Sequence, residues 1–314
     1  MPANRSTKIL VAGGGVAGLE VVLALQSLAP DWFDIEMLAP ERHFVHRPLA
    51  VGAPLQPIRP IRAELSGIAH DRGFDLRRDA LERVDAAAHA AVTQGGDRVS
   101  YDVLVLALGT RPVTAVAGAL PFRGWQDAAA VEDALMGLGS GPVRVAYVAR
   151  SASTWTLPLY ELALQTVAWA KGRDIIPAVL LATAELEPLE SFGSRASRRV
   201  ADLIRVGGVR FIPGADVDRV QHGCLRIGPE GSIRVDLAVA LPSPVGPAVP
   251  GVPHDTAGFT AVDDRGRVHG LEDVYAVGDM TGRPLEQGGV AAQQAQAAAR
   301  AIAASAGAPV AVQL

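Results

Sequence analysis

Residues 8–28, KILVAGGGVAGLEVVLALQSL, constrain the fold more than any other stretch. Residues 9–12 are a short apolar run with the length and bounding of a buried parallel strand. Beyond the glycines, Leu19, Val22 and Leu23 recur at helical spacing, which predicts strand, tight turn and helix in succession. Within the turn, Gly13-x-Gly15-x-x-Gly18 places glycine where the chain must turn sharply, where backbone must approach a pyrophosphate, and where helix and strand must touch. The helix that follows presents backbone N–H groups and the positive end of its dipole to an anion. A glycine pattern of this kind also occurs in ordinary turns. The rest of the chain decides between the two.

Two further stretches bear on that choice. Residues 274–299, VYAVGDMTGRPLEQGGVAAQQAQAAA, read as a short strand ending at Gly278-Asp279 and an Ala-rich helix beginning near Gly288. Residues 101–112, YDVLVLALGTRP, read as an apolar strand running through Ala107 to Gly109-Thr110. In this order the three motifs resemble those of flavoproteins with two dinucleotide-binding domains, the FAD-dependent pyridine nucleotide-disulfide oxidoreductase superfamily. The resemblance implies an α/β fold of two Rossmann-like domains, the second inserted in the first, with FAD as cofactor. It further implies that Gly13, Gly15, Val16, Ala17 and Gly18 hold the ADP half. Gly278 and Asp279 would meet the ribityl or pyrophosphate part, and Ala107, Gly109 and Thr110 would close over the flavin. Gln287 and Gly288 start the last helix, whose dipole favours negative charge on the flavin pyrimidine ring. Just before them stands Glu286, where members of the superfamily often carry Lys.

Residues 33–38, FDIEML, read as a second strand. The ribose-binding acid of the dinucleotide fingerprint lies at the end of such a strand. Here Ala39 stands at that end, which leaves Glu41 as the candidate, while Glu36 lies on one face of the strand. Residues 43–48, HFVHRP, resemble the superfamily's stretch beside the flavin, so Arg42, Arg47 and Pro48 are expected at the cofactor. Arg47 is either a partner of the pyrophosphate or a surface-loop arginine. Residues 58–73 read as helix and loop, with Pro57 and Pro60 as breakers. Residues 75–99 read as a β-meander; in the resembling family the backbone near Ala80 and Leu81 would contact the adenine.

The 314 residues give room for about two domains, and a hydrophobic content of 49% is ample for two cores. A net charge of −4 without any Lys/Arg-rich block leaves no basic field for nucleic acid. No run reaches the ~18 apolar residues of a spanning helix, and no signal-peptide pattern leads the chain. A cytoplasmic protein without an integral membrane segment is therefore expected. The boundaries fall near Pro112 and Pro250: residues 1–112 and 250–314 for the FAD-binding domain, 113–249 for an NAD(P)-binding-like domain.

That second domain departs from the pattern. The strand of residues 142–149 should run into a second glycine turn, yet residues 149–161, ARSASTWTLPLYE, contain no glycine. Backbone there cannot approach a pyrophosphate as closely. STWTLPLYELAL instead resembles the corresponding segment of the branch containing sulfide:quinone oxidoreductases, flavocytochrome c sulfide dehydrogenases and type II NADH dehydrogenases. Arg150, Trp155, Tyr160 and Glu161 are candidates for a substrate pocket, with Tyr160 or Glu161 orienting substrate and handling protons. Alternatively, Trp155 and Tyr160 are core and Glu161 is a helix N-terminal acid.

The one cysteine, Cys224, cannot form a dithiol couple within the chain. Sulfide oxidation of the branch's type requires a cysteine pair near the flavin, so it is not expected here. The chain also ends soon after the Gly278-Asp279 motif, without the membrane-docking region that quinone reductases of the superfamily carry. The expected activity is electron transfer through FAD from a reduced small-molecule donor, NAD(P)H among the options, to a small-molecule or quinone-like acceptor. A protein partner over the flavin is a further option. A non-catalytic FAD-binding subunit is the alternative, and no metal is expected.

Overall fold

A computed structural model describes residues 6–150, 154–228, 231–282 and 287–308. Two parallel sheets carry the fold. Their strands are β1 (Thr7–Ala12), β2 (Phe33–Leu38), β3 (Asp75–Arg77), β4 (Val103–Leu106), β5 (Leu120–Pro121), β6 (Gly141–Ala149), β7 (Ile175–Thr183), β8 (Val209–Ile212), β9 (Leu237–Ala240) and β10 (Val274–Ala276). The α-helices are α1 (Val16–Leu28), α2 (Leu65–Arg72), α3 (Trp125–Met136), α4 (Leu157–Ala170), α5 (Ser194–Val206) and α6 (Gly288–Ser305).

The chain divides into two compact units. The first takes the described residues of Met1–Val45, Arg62–Arg111 and Val245–Leu314; the second takes His46–Ile61 and Pro112–Pro244. The second is thus inserted in the first. Residues 46–61, which the sequence keeps with the first region, group with the second unit, where Val51 and Leu55 join the core of Phe122, Leu159 and Tyr160.

In the first unit the strand order is β10-β4-β1-β2-β3, all parallel. Ile9 and Val11 of β1 face a core shared with Val21, Val22 and Leu25 of α1 and Ala295 and Ala299 of α6. Leu10 and Ala12 face a second core with Leu104, Leu106 and residues of the meander Leu81–Asp85, Ala90–Thr93 and Arg98–Ser100. Covering both faces explains why β1 reads as a continuous apolar run. The helix-and-loop region around residues 58–73 also holds a short strand, Arg62–Glu64, paired antiparallel with His43–Val45 before α2 begins.

The second unit repeats the pattern as β5-β9-β6-β7-β8, again parallel. Val145, Tyr147 and Ala149 of β6 pack in the core containing Val131 of α3, Leu162 of α4 and Ile204 of α5. Ala146 and Val148 pack in the core of the antiparallel strands Val217–Gln221, Cys224–Ile227 and Gly231–Arg234. Among the described residues no helix is long and apolar enough to cross a membrane.

Candidate functional site

The first sheet grows from β1 outward in both directions, to β2 and β3 on one side and to β4 and β10 on the other. Such a switch point opens a ligand crevice beyond the carboxyl ends of the central strands. The glycines after β1 differ in what requires them. Gly13 has φ +119°, and a Cβ on it would run into the Ala107 carbonyl; a Cβ on Gly18 would run into the Gly13 carbonyl. Both are glycine for the chain's own packing. Gly15 has φ −82°, which suits any residue, and a Cβ there would meet nothing within 4 Å. The space it leaves lies at the N-terminus of α1.

The first hydrogen bond of α1 runs from the Leu19 N–H to the Gly15 carbonyl at 3.0 Å, so the N–H groups of Val16, Ala17 and Gly18 precede it. Open space before a row of amides and a positive dipole end is the cradle a pyrophosphate requires. The residues present fit the phosphates of FAD.

Other motif residues join this cradle. The Ala107 N–H donates to the Ala12 carbonyl at 2.7 Å, tying the end of β4 to β1. Gly278, at φ +75°, lies so close that a Cβ would stand 2.9 Å from the Ala17 Cβ. Its N–H donates to Gln294 Oε1 of α6 at 2.7 Å, and its carbonyl accepts from Thr281 Oγ1 at 2.9 Å. Asp279 follows directly. Gly288, the exposed first residue of α6, lies near Val16, and Gln287 caps the helix, its carbonyl accepting from the Ala291 N–H at 2.9 Å. Gly109 follows β4 with φ +66°, next to Thr110.

The remaining candidates stand in other surroundings. Glu41 is exposed, three residues beyond the end of β2. Arg42 pairs with Glu64 at 2.7 Å in an exposed bridge, and this hydrogen bond and charge hold the Glu64 carboxyl below its ordinary range. Glu36 is largely buried and bound to Arg77 at 2.7 Å and Lys8 at 3.4 Å. The Ala80 N–H donates to Asp79 Oδ1 at 2.7 Å and its carbonyl accepts from Gln94 N–H at 2.8 Å, while Leu81 begins the meander. Arg47 and Pro48 are exposed and belong to the second unit, so the first unit does not itself gather them. Glu286 and residues 151–153 lie outside the described residues.

In the second unit, Arg150 is exposed after β6, and Trp155 is half-buried with its ring 5.2 Å from that of Phe192. Tyr160 is buried, and its hydroxyl donates to Glu185 Oε2 at 2.8 Å. Glu161 is exposed on α4, with partial burial of its carboxyl raising the pKa. Sequence reasoning singles out no residue after β7 and so misses Glu185, two residues beyond its end. It is buried, and accepts also from Thr156 Oγ1 at 2.9 Å and Thr183 Oγ1 at 3.2 Å. Its signal was positional: it follows β7 as Glu41 follows β2. Gln294 gave no signal beyond its place in an Ala-rich helix.

Two doubly wound sheets in one chain, with a glycine cradle at the first, define a two-Rossmann dinucleotide-binding protein. A family model of pyridine nucleotide-disulphide oxidoreductases matches residues 7–301, and the chain belongs to that family. Members of the family are FAD-binding oxidoreductases. A curated relative, the sulfide-quinone reductase of Aquifex aeolicus, is 26% identical over 226 residues, which are 68% of this chain. The match spans about half, 52%, of that relative's length. The solved sulfide:quinone oxidoreductase of Aquifex aeolicus is similar in fold at TM-score 0.85 and 22% identity, over 96% of this chain and 78% of that one. A ferredoxin reductase of Rhodopseudomonas palustris is similar at TM-score 0.72 and 19% identity, over 94% and 76%.

Proposed function

We propose that the chain passes electrons from a reduced donor through FAD held in the first unit to a small-molecule or quinone-like acceptor, without a thiol step. FAD, when bound, supplies the redox chemistry by accepting electrons from one molecule and giving them to another. The protein's part is to bind and orient. The N–H groups of Val16, Ala17 and Gly18 and the dipole of α1 would neutralise the pyrophosphate, and Glu41, exposed, would accept from the adenosine ribose. Gly278 and Asp279 would fix the middle of the cofactor, with Gln294 and Thr281 holding that turn in place. The open N-terminus of α6 at Gln287 and Gly288 would favour negative charge beside it.

The observation that carries the thiol-free reading is the setting of Cys224. It is the one cysteine in the sequence, and it sits half-buried on a strand of the second unit's antiparallel sheet, opposite Gln221 and Arg234. Thiol–disulfide exchange requires a second sulfur. The relatives named sulfide-quinone reductase suggest a quinone as acceptor.

Cys224→Ser tests it. Dithionite-reduced variant and wild type, mixed anaerobically with a soluble benzoquinone, should reoxidise at the same rate. A variant that keeps its FAD yet reoxidises more than about tenfold slower, a barrier increase of about 1.4 kcal/mol, would show that the sulfur takes part.

A further inference from the structure

The second unit has the strand order of a dinucleotide-binding sheet, so its crevice belongs where β6 gives way to α4, with a ribose-binding acid just after β7. Each element of that crevice is altered. Residues 149–161 offer no glycine for close approach of a pyrophosphate. At the start of α4, Pro158 has no N–H, and the Leu159 N–H is already bonded to the Thr156 carbonyl at 2.9 Å. The first unit keeps three successive amides at the same place.

The acid is the clearest difference. Glu185 stands two residues past β7, much as Glu41 stands three past β2, yet Glu41 is exposed and Glu185 is only 6% exposed. Both Glu185 oxygens are engaged by the protein's own hydroxyls: Thr156 on Oε1, Tyr160 and Thr183 on Oε2. Tyr160 in turn accepts from the Leu189 N–H at 3.3 Å, joining the loop after β7 to the network. These hydroxyls take up the acceptor capacity that a ribose-binding acid would offer to ribose hydroxyls. Trp155, stacked at a tilt on Phe192, adds side-chain bulk beside the same turn.

We infer that the second unit has filled its own dinucleotide crevice with the Thr156–Tyr160–Thr183–Glu185 network, so that it binds neither NADH nor NADPH, and the donor is a reductant without a dinucleotide handle. The inference rests on the proposed function only in naming the donor class. Admitting a nucleotide would require the protein to break its bonds to a buried carboxylate, which leaves buried polar groups unpaired. The unit then serves as a closed scaffold.

Equilibrium dialysis of the FAD-loaded protein against NADH and NADPH, each up to about 1 mM, the upper end of ordinary substrate affinities, tests this without turnover. The expected result is no saturable uptake of either nucleotide. Saturable uptake of either would overturn the inference, and its loss in Glu185→Gln would return Glu185 to ribose binding. Failure of the protein to take up FAD would overturn the proposed function instead, and would leave the nucleotide result to be read separately.

Discussion

Glu185 accepts three hydroxyl hydrogen bonds in a site with little access to water. Burial pushes its carboxyl above the ordinary range, and the bonds from Tyr160, Thr156 and Thr183 oppose that shift without cancelling it; Glu190 adds to it. Burial and the neighbouring carboxylate likewise raise the Tyr160 hydroxyl. The folded chain therefore keeps the Glu185 proton at a pH where the unfolded chain has released it, so stability falls as pH rises from about 4.3 through the raised value. Glu185→Gln removes this titration. Urea midpoints of the two proteins, compared from about pH 4 to about pH 7, should show the wild type losing ground to the variant as pH rises. An opposite trend would contradict a buried, proton-retaining Glu185. None of this was legible along the sequence, because Thr156 and Tyr160 lie 29 and 25 residues away and only the packing of α4 against β7 brings them to Glu185.

At the scale of elements, the turn into α1 separates what the fold requires from what a ligand requires. Gly13→Ala forces a left-handed φ and a collision with the Ala107 carbonyl, so it should lower stability by about 1–3 kcal/mol even without cofactor. Gly15→Val fills only open space before the helix amides, so it should leave the apo fold near wild type while abolishing stoichiometric FAD. Thermal unfolding with FAD quantitation after gel filtration checks both; a Gly15→Val protein that retains full FAD would remove the cradle from this turn.

The strand–turn–helix pattern, the Gly278-Asp279 strand end and the Ala-rich last helix were legible because their signals are local: apolar period, glycine spacing and composition. The short strand Arg62–Glu64 was hidden because three residues carry no period and their pairing partner, His43–Val45, is distant in sequence. The grouping of residues 46–61 with the second unit was hidden for a related reason, since Val51 and Leu55 find their core only through non-local contacts.

At the scale of the whole molecule, one strand order is used twice and finished in two ways. The first unit leaves glycine and amides open at its switch point; the second closes its equivalent with hydroxyls, an aromatic pair and a buried acid. On the proposed reading, a chain built this way binds one dinucleotide, FAD, and takes its electrons from a donor that needs no second nucleotide site. The measurement that tests this most directly is the anaerobic visible spectrum of the purified protein, recorded before and after NADH, then NADPH, then dithionite. Flavin bands should persist through both nucleotides and bleach with dithionite. Rapid bleaching by NADH or NADPH would contradict that reading.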